Sequence, residues 1–255
     1  MSLKFSHCID MMYSYTDFED RISEAKRFGA DAIEFWKWSN KDIDKLSECG
    51  MPISIFNLDC KNKALSYDLS RGILNSGRVD DFLYALDESI PVYKKLSASA
   101  MIVLIGENAE PNAENVAKCL DAAKPIVESE GVSLIVEPLN NIDRVGYSMP
   151  YVTPVIEILR SVDSPNIKLL YDIYHQNMMG DFNLDEVCRS IDLIGHFHVA
   201  DCPGRHQPGT GRVDYVGILK EISALPYDGY IGLEYRATIP DGETFDFIDE
   251  VRKNA

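Results

Sequence analysis

The chain of 255 residues contains no apolar stretch as long as a membrane span, which takes about 20 consecutive apolar residues. Its first residues, MSLKFSHCIDMMY, lack a basic segment followed by a long apolar one, so no secretory leader is expected there. Positive charge is scarce: 25 Lys and Arg stand against 41 Asp and Glu, for a net charge of −16. That balance disfavours nucleic acid as a partner, because a phosphate backbone needs a cationic face. It leaves a small anionic substrate open, since a few local cations overrule the global field. The six cysteines are spread widely and form no CxxC pair, the pattern of reduced, mostly buried thiols in a cytoplasmic protein. Cys202 alone falls near the residues singled out below. No GxGxxG opens a helix after the first strand and no GxxxxGK[ST] occurs, so dinucleotide and nucleoside triphosphate sites have no anchor.

What is present is alternation. Short apolar runs without clean in-out periodicity are followed, eight times, by amphipathic segments. The runs are LKFSHCI, DAIEFW, PISIFNL, SAMIVLIG, GVSLIVE, IKLLYD, GHFHVAD and GYIGLEY. Runs of this kind suit parallel strands covered by helices on one side and packed into a barrel interior on the other. The expected fold class is α/β, a (β/α)8 TIM barrel in one domain over 1–255, a chain length typical of that fold. A segment near 58–74 delays the helix expected at 75–97, and Pro125 is expected to kink or split the long helix within 110–131.

Four polar residues stand out. Glu137 closes SLIVEP, Asp172 closes IKLLYD, His198 lies in IGHFHVAD, and Glu234 closes YIGLEY, at steps of 35, 26 and 36 residues. Those steps approximate one strand-plus-helix unit, so the four would share the C-terminal rim of the barrel, where such folds do their chemistry. Three carboxylates and one imidazole without thiolates form a hard donor set for a divalent metal: Mn²⁺ or Mg²⁺, with Co²⁺ or Zn²⁺ as alternatives. An ion binding a carbonyl and a hydroxyl oxygen would acidify the C–H between them and stabilise an enediolate. Glu137 and Glu234 could then flank the substrate as catalytic acid and base. His196 shares a strand face with His198 and is expected to orient or pack. His175, three residues past Asp172, is placed to reach a substrate oxygen from the following loop. Arg205, in the Gly- and Pro-rich loop after the seventh strand, could grip a substrate carboxylate through its guanidinium fork. Trp36, Trp38, Phe56, Tyr13 and Tyr147 are candidates for the pocket wall. The segment 35–38 and the loop 200–213 suit either a lid or a homo-oligomer contact.

The blocks GHFHVADCPGRHQPGTGRVDYVGILKEI, YDGYIGLEY, LIVEPLN and IKLLYDIYHQNMMGD resemble the hydroxypyruvate isomerase family, within the xylose-isomerase-like TIM-barrel superfamily. The resemblance covers essentially the whole chain. It implies that Glu137, Asp172, His198 and Glu234 bind metal, that Glu137 and Glu234 move the proton, and that His175 and Arg205 contact substrate. It also places Asp143 where related ketose epimerases have a substrate-contacting glutamate. The implied reaction interconverts hydroxypyruvate and tartronate semialdehyde, or four-carbon 2-oxo acid analogues. Other branches epimerise ketoses at C3, dehydrate inosose or cleave abasic DNA. Five histidines and an acidic chain match the last of these poorly. The expected partner is therefore a short sugar acid, with a ketose 3-epimerase, a dehydratase or a non-catalytic sugar-acid binder as alternatives. The segments EFWKWSNKD and NKALSYDLSRG resemble the family less than the C-terminal half does.

Overall fold

The computed structural model describes residues 3–254. Its eight strands are β1 (Lys4–Cys8), β2 (Ala32–Glu34), β3 (Ile55–Asn57), β4 (Ala100–Leu104), β5 (Leu134–Glu137), β6 (Ile167–Asp172), β7 (Ile194–Val199) and β8 (Tyr230–Leu233). All the pairs between them are parallel, in the order β2-β1-β8-β7-β6-β5-β4-β3. Single parallel bridges close the cylinder between β2 and β3: Ser54 N donates to Ile33 O at 2.9 Å, and Asn57 N to Trp36 O at 3.0 Å. The strands are buried almost throughout because helices cover their outer faces, which is why they lack alternation. The chain is thus the expected (β/α)8 barrel. Among the described residues, no helix is long and apolar enough to cross a membrane.

Three local expectations need correction. Pro125 does not split its helix, which runs unbroken over Ala113–Glu130. Proline removes one N–H from the ladder, but Val116, Leu120, Ala123 and Val127 keep a continuous face buried, and packing outweighs that local loss. The delay segment carries a helix of its own, Lys63–Leu69, capped by Asn62, whose Oδ1 accepts from the Ala64 and Leu65 N–H groups. Beyond it Gly72, at φ +135°, lets the chain press against the exit of β4: a Cβ there would lie 2.2 Å from Gly106 N. Finally, β6 leads straight into the helix Ile173–Met178, so His175 lies on a helix rather than a loop.

Candidate metal centre

Sheet register brings the expected residues together. Asp172 on β6 pairs with His198 on β7, and His198 pairs with Gly232 on β8, which sets the paired side chains on one face of the sheet. Glu137 ends β5, and Glu234 follows β8 directly. One ligand atom from each of Glu137, Asp172, His198 and Glu234 lies within 4.8 Å of the others, and all four residues are buried. His198 Nδ1 is 3.3 Å from Glu137 Oε1, 3.2 Å from Glu234 Oε2 and 4.0 Å from Asp172 Oδ2. Asp172 has a second task. It caps the helix Ile173–Met178, its Oδ1 accepting from His175 N at 3.0 Å, while Oδ2 faces the cluster.

The surroundings divide the carboxylates. Burial pushes Glu137 up, and the neighbouring His198 only partly opposes it. Burial also pushes Asp172 up, to about 7, against the pull of Arg205 and His198. Glu234 is desolvated as well, yet the charges of Arg205 and His198, with hydrogen bonds from His198 and Trp36, hold it below the ordinary carboxylate range. Desolvation works against a charged His198, but the carboxylates of Glu234 and Glu34 and the hydrogen bonds with Glu137 and Glu234 lift it well above its usual value. Three buried carboxylates converging on one imidazole are costly without compensating positive charge. The oxygen-rich donor set, with Nδ1 turned into it, fits a divalent cation.

Arg205 contributes the remaining positive charge. Its Nη2 donates to Glu234 Oε2 and lies 3.8 Å from Asp172 Oδ2, and its guanidinium sits 5.3 Å from the centre of the Tyr174 ring. His175 is wholly buried; its Nδ1 accepts from the Asn140 backbone N–H at 3.1 Å, so the ring proton is on Nε2. That Nε2 lies 3.3 Å from Asp172 Oδ2 without hydrogen-bond geometry. Desolvation, reinforced by Arg205, keeps His175 neutral. Asp143 is exposed on the rim, where its Oδ2 accepts from Tyr174 OH at 2.5 Å and from Asn140 Nδ2 at 3.1 Å.

A cavity of about 280 Å³ opens beside the cluster. Trp36, Glu137, Glu234 and Arg205 line it on the metal side, with Asn57, Ser70, Arg144 and the apolar Ile102, Leu104 and Leu139 completing the wall. Of the five aromatic candidates, only Trp36 lines this cavity. Trp38 is buried and donates to Ser89 Oγ, Phe56 stacks on Phe35 in the core, and Tyr13 bonds His7. Tyr147 OH braces two strand ends, accepting from Ile105 N and donating to Glu137 O at 2.9 Å. Cys202 is buried beneath the rim with its sulfur 3.3 Å from Met178 Sδ. The six thiols are free, four of them buried and Cys188 exposed.

One residue close to the centre did not emerge from the sequence. Glu34, at the end of β2, is buried with Oε1 3.1 Å from His198 Nε2 and Oε2 3.2 Å from His196 Nε2. The sequence carried a signal for it: DAIEFW places a glutamate at the end of an apolar run, the same pattern that marked Glu137.

Barrel and cluster together define a class, and the comparisons agree with it. The chain belongs to the xylose isomerase-like TIM barrel family, whose profile matches residues 22–251. It is 27% identical over 244 residues to hydroxypyruvate isomerase of Escherichia coli, covering 92% of this chain and 93% of that protein. It is 29% identical over 248 residues to 2-oxo-tetronate isomerase of Cupriavidus necator, covering 91% and 92% of the two chains. The crystal structure of an AP endonuclease, family 2, from Brucella melitensis superposes with a TM-score of 0.87 at 21% identity, covering 98% of both chains, a likeness of fold.

Proposed function

We propose that this protein is a metal-dependent isomerase of a small hydroxy-oxo acid, interconverting hydroxypyruvate and tartronate semialdehyde or a four-carbon 2-oxo acid analogue. The observation that carries the reading is the convergence of Glu137, Asp172, His198 and Glu234 on one point at the wall of a cavity of about 280 Å³, beside Arg205. That volume lies at the small end of ligand pockets and suits a molecule of three or four carbons. The E. coli and C. necator relatives, named for three- and four-carbon oxo acids, support the same substrate class. Mn²⁺ or Mg²⁺ is the proposed ion, and its chemistry when bound is to polarise the substrate carbonyl and stabilise the charge of the enediolate.

The protein's own residues would divide the proton work. Glu234, held ionised by Arg205 and His198, takes the proton from the hydroxyl-bearing carbon. Glu137, which lines the same cavity, returns a proton to the neighbouring carbon as the hydroxyl proton passes to the former carbonyl oxygen. Arg205 draws the carboxylate of the substrate toward the metal wall. His175 offers its Nε2–H to a substrate oxygen on the Asp172 side. Asp143 acts on the substrate through Tyr174 and Asn140, which it holds.

A second reading, a ketose 3-epimerase, rests on one observation: Glu234 already engages the Arg205 fork, as suits a site that binds no carboxylate. The decisive experiment incubates the protein in D₂O with hydroxypyruvate and Mn²⁺, removes the metal by chelation and records NMR spectra. Aldehyde product and deuterium at carbon are expected. Neither appearing, with metal binding verified, would sink the acid isomerase, and parallel incubations with free ketoses would reveal an epimerase.

A further inference from the structure

Beneath the metal centre the barrel interior holds a second polar layer. Glu34 Oε1 lies 3.1 Å from His198 Nε2. Its Oε2 accepts from Ser54 Oγ at 3.2 Å and lies 3.2 Å from His196 Nε2, and Ser54 Oγ bonds Ser6 Oγ at 2.5 Å. These five residues come from β1, β2, β7 and the entry to β3, all of them buried. Gly232 on β8 makes room for the layer: a Cβ there would stand 2.5 Å from His198 Cδ2 and 2.6 Å from Glu34 Oε1.

We propose that Glu34 is a positioning residue for the metal centre, fixing the tautomer and ring orientation of His198 so that the Nδ1 lone pair faces the three carboxylates. The inference rests on the reading of Glu137, Asp172, His198 and Glu234 as the ligands. An imidazole that ligates through Nδ1 must carry its remaining proton on Nε2. In this fold Nε2 lies 3.1 Å from Oε1 of a buried carboxylate anchored on β2, short of full hydrogen-bond geometry, and neither atom has a hydrogen-bond partner elsewhere among the described residues. An acceptor there fixes which nitrogen is free to bind metal and raises its basicity. Ser54 Oγ donates to the other oxygen and His196 Nε2 lies 3.2 Å from it, so the carboxylate cannot swing away without losing the Ser54 bond.

Glu34, His196 and His198 also bring ligand atoms within 4.8 Å of one another, which raises the question of a second cation. Burial and the Ser54 bond favour the positioning role. Ser54 already occupies Oε2, and the three side chains are at most 3% exposed, which leaves no place for the further ligands a cation needs.

The test compares the full-length wild type, E34Q and S54A. Mn²⁺ affinity is measured by the EPR signal of free ion, bound metal by elemental analysis, and the unfolding temperature without added metal by calorimetry. E34Q is expected to bind Mn²⁺ about 10- to 100-fold more weakly at a stoichiometry of one, the usual range for loss of a residue supporting a ligand. S54A is expected to lose a few-fold. Wild-type affinity in an E34Q that unfolds like the wild type would overturn the role of Glu34 while leaving the centre intact. A wild type that binds no divalent ion would remove the centre itself. Two bound ions falling to one in E34Q would assign Glu34 to a second cation site and overturn the proposal. Nitrogen NMR of His198 in the Zn²⁺-loaded wild type gives a readout independent of any variant: a proton on Nε2 is expected, and one on Nδ1 overturns it.

Discussion

Trp36 Nε1 donates to Glu234 Oε1 at 2.8 Å, joining two residues 198 apart in the chain. The bond crosses from the exit of β2 to the exit of β8, and it leaves Oε2 of the same carboxylate to Arg205 and His198. Glu234 is thus aimed from three sides. Trp36→Phe keeps the pocket wall and removes only the donor. Hydrogen bonds to charged groups are worth about 1.5–3 kcal/mol, so kcat is expected to fall roughly tenfold or more. Steady-state kinetics on the acid substrate would check this, and an unchanged kcat would show that Arg205 and His198 suffice to aim the carboxylate.

Arg205 separates the two readings of the substrate. Arg205→Lys retains positive charge near Glu234 but loses the planar fork that matches a carboxylate. If the substrate is an acid, KM for hydroxypyruvate is expected to rise about tenfold or more, with a smaller change on any neutral ketose the protein accepts. Equal losses on both would place Arg205 in the service of Glu234 alone.

The parts of this architecture legible in the sequence share one physical origin. A strand buried on both sides must be apolar, so a carboxylate at its end is conspicuous, and Glu137, Asp172 and Glu234 stood out for that reason. Asp172 shows the limit of the signal. The sequence marks it as a strand end, but the same residue caps a helix that begins at once, and this moved His175 from a loop onto that helix. Trp36 was legible as a rim aromatic, whereas Glu34 was passed over although it too closes an apolar run; their partners lie 198 and 164 residues away. Such pairings reach across the barrel from β2 to β7 and β8, an arrangement set by closure of the sheet, which no local pattern encodes. Pro125 fails in the other direction: a strong local rule gives way to a helix face held by the core.

Gly232 lies where the two polar layers meet. A methyl group at this position would stand 2.5 Å from His198 Cδ2 and 2.7 Å from Glu34 Oε2, with no flexible chain end free to yield. Gly232→Ala should therefore cost about 1–3 kcal/mol of stability, the usual range for overpacking. It should also weaken metal binding by tilting the His198 ring. Denaturant melts with and without Mn²⁺ would separate the effects: the metal-induced gain in stability should shrink relative to wild type. A variant matching wild type in both would mean that the layers relax more freely than their packing implies.

His7 gives the fold a pH dependence apart from the metal ligands. Its ring is buried, stacks on Phe245 at 4.8 Å and shares a 2.6 Å hydrogen bond with the Tyr13 hydroxyl. Burial lowers it from 6.5 to about 3, against a smaller opposing pull from Glu34. Between those values the unfolded chain takes up a proton that the folded chain refuses, so this contribution to stability is full above pH 6.5 and is lost as pH falls toward 3. Over the two units from pH 6.5 to 4.5 the loss is roughly 2–3 kcal/mol, at about 1.4 kcal/mol per unit. In His7→Asn the amide reaches the position of Nδ1 and does not titrate. The variant should be less stable than wild type at pH 7.5, yet lose about 2–3 kcal/mol less between pH 7.5 and 4.5. Urea unfolding of both proteins at the two pH values measures that difference directly. Parallel losses would show that carboxylates, rather than this imidazole, govern the acid limb.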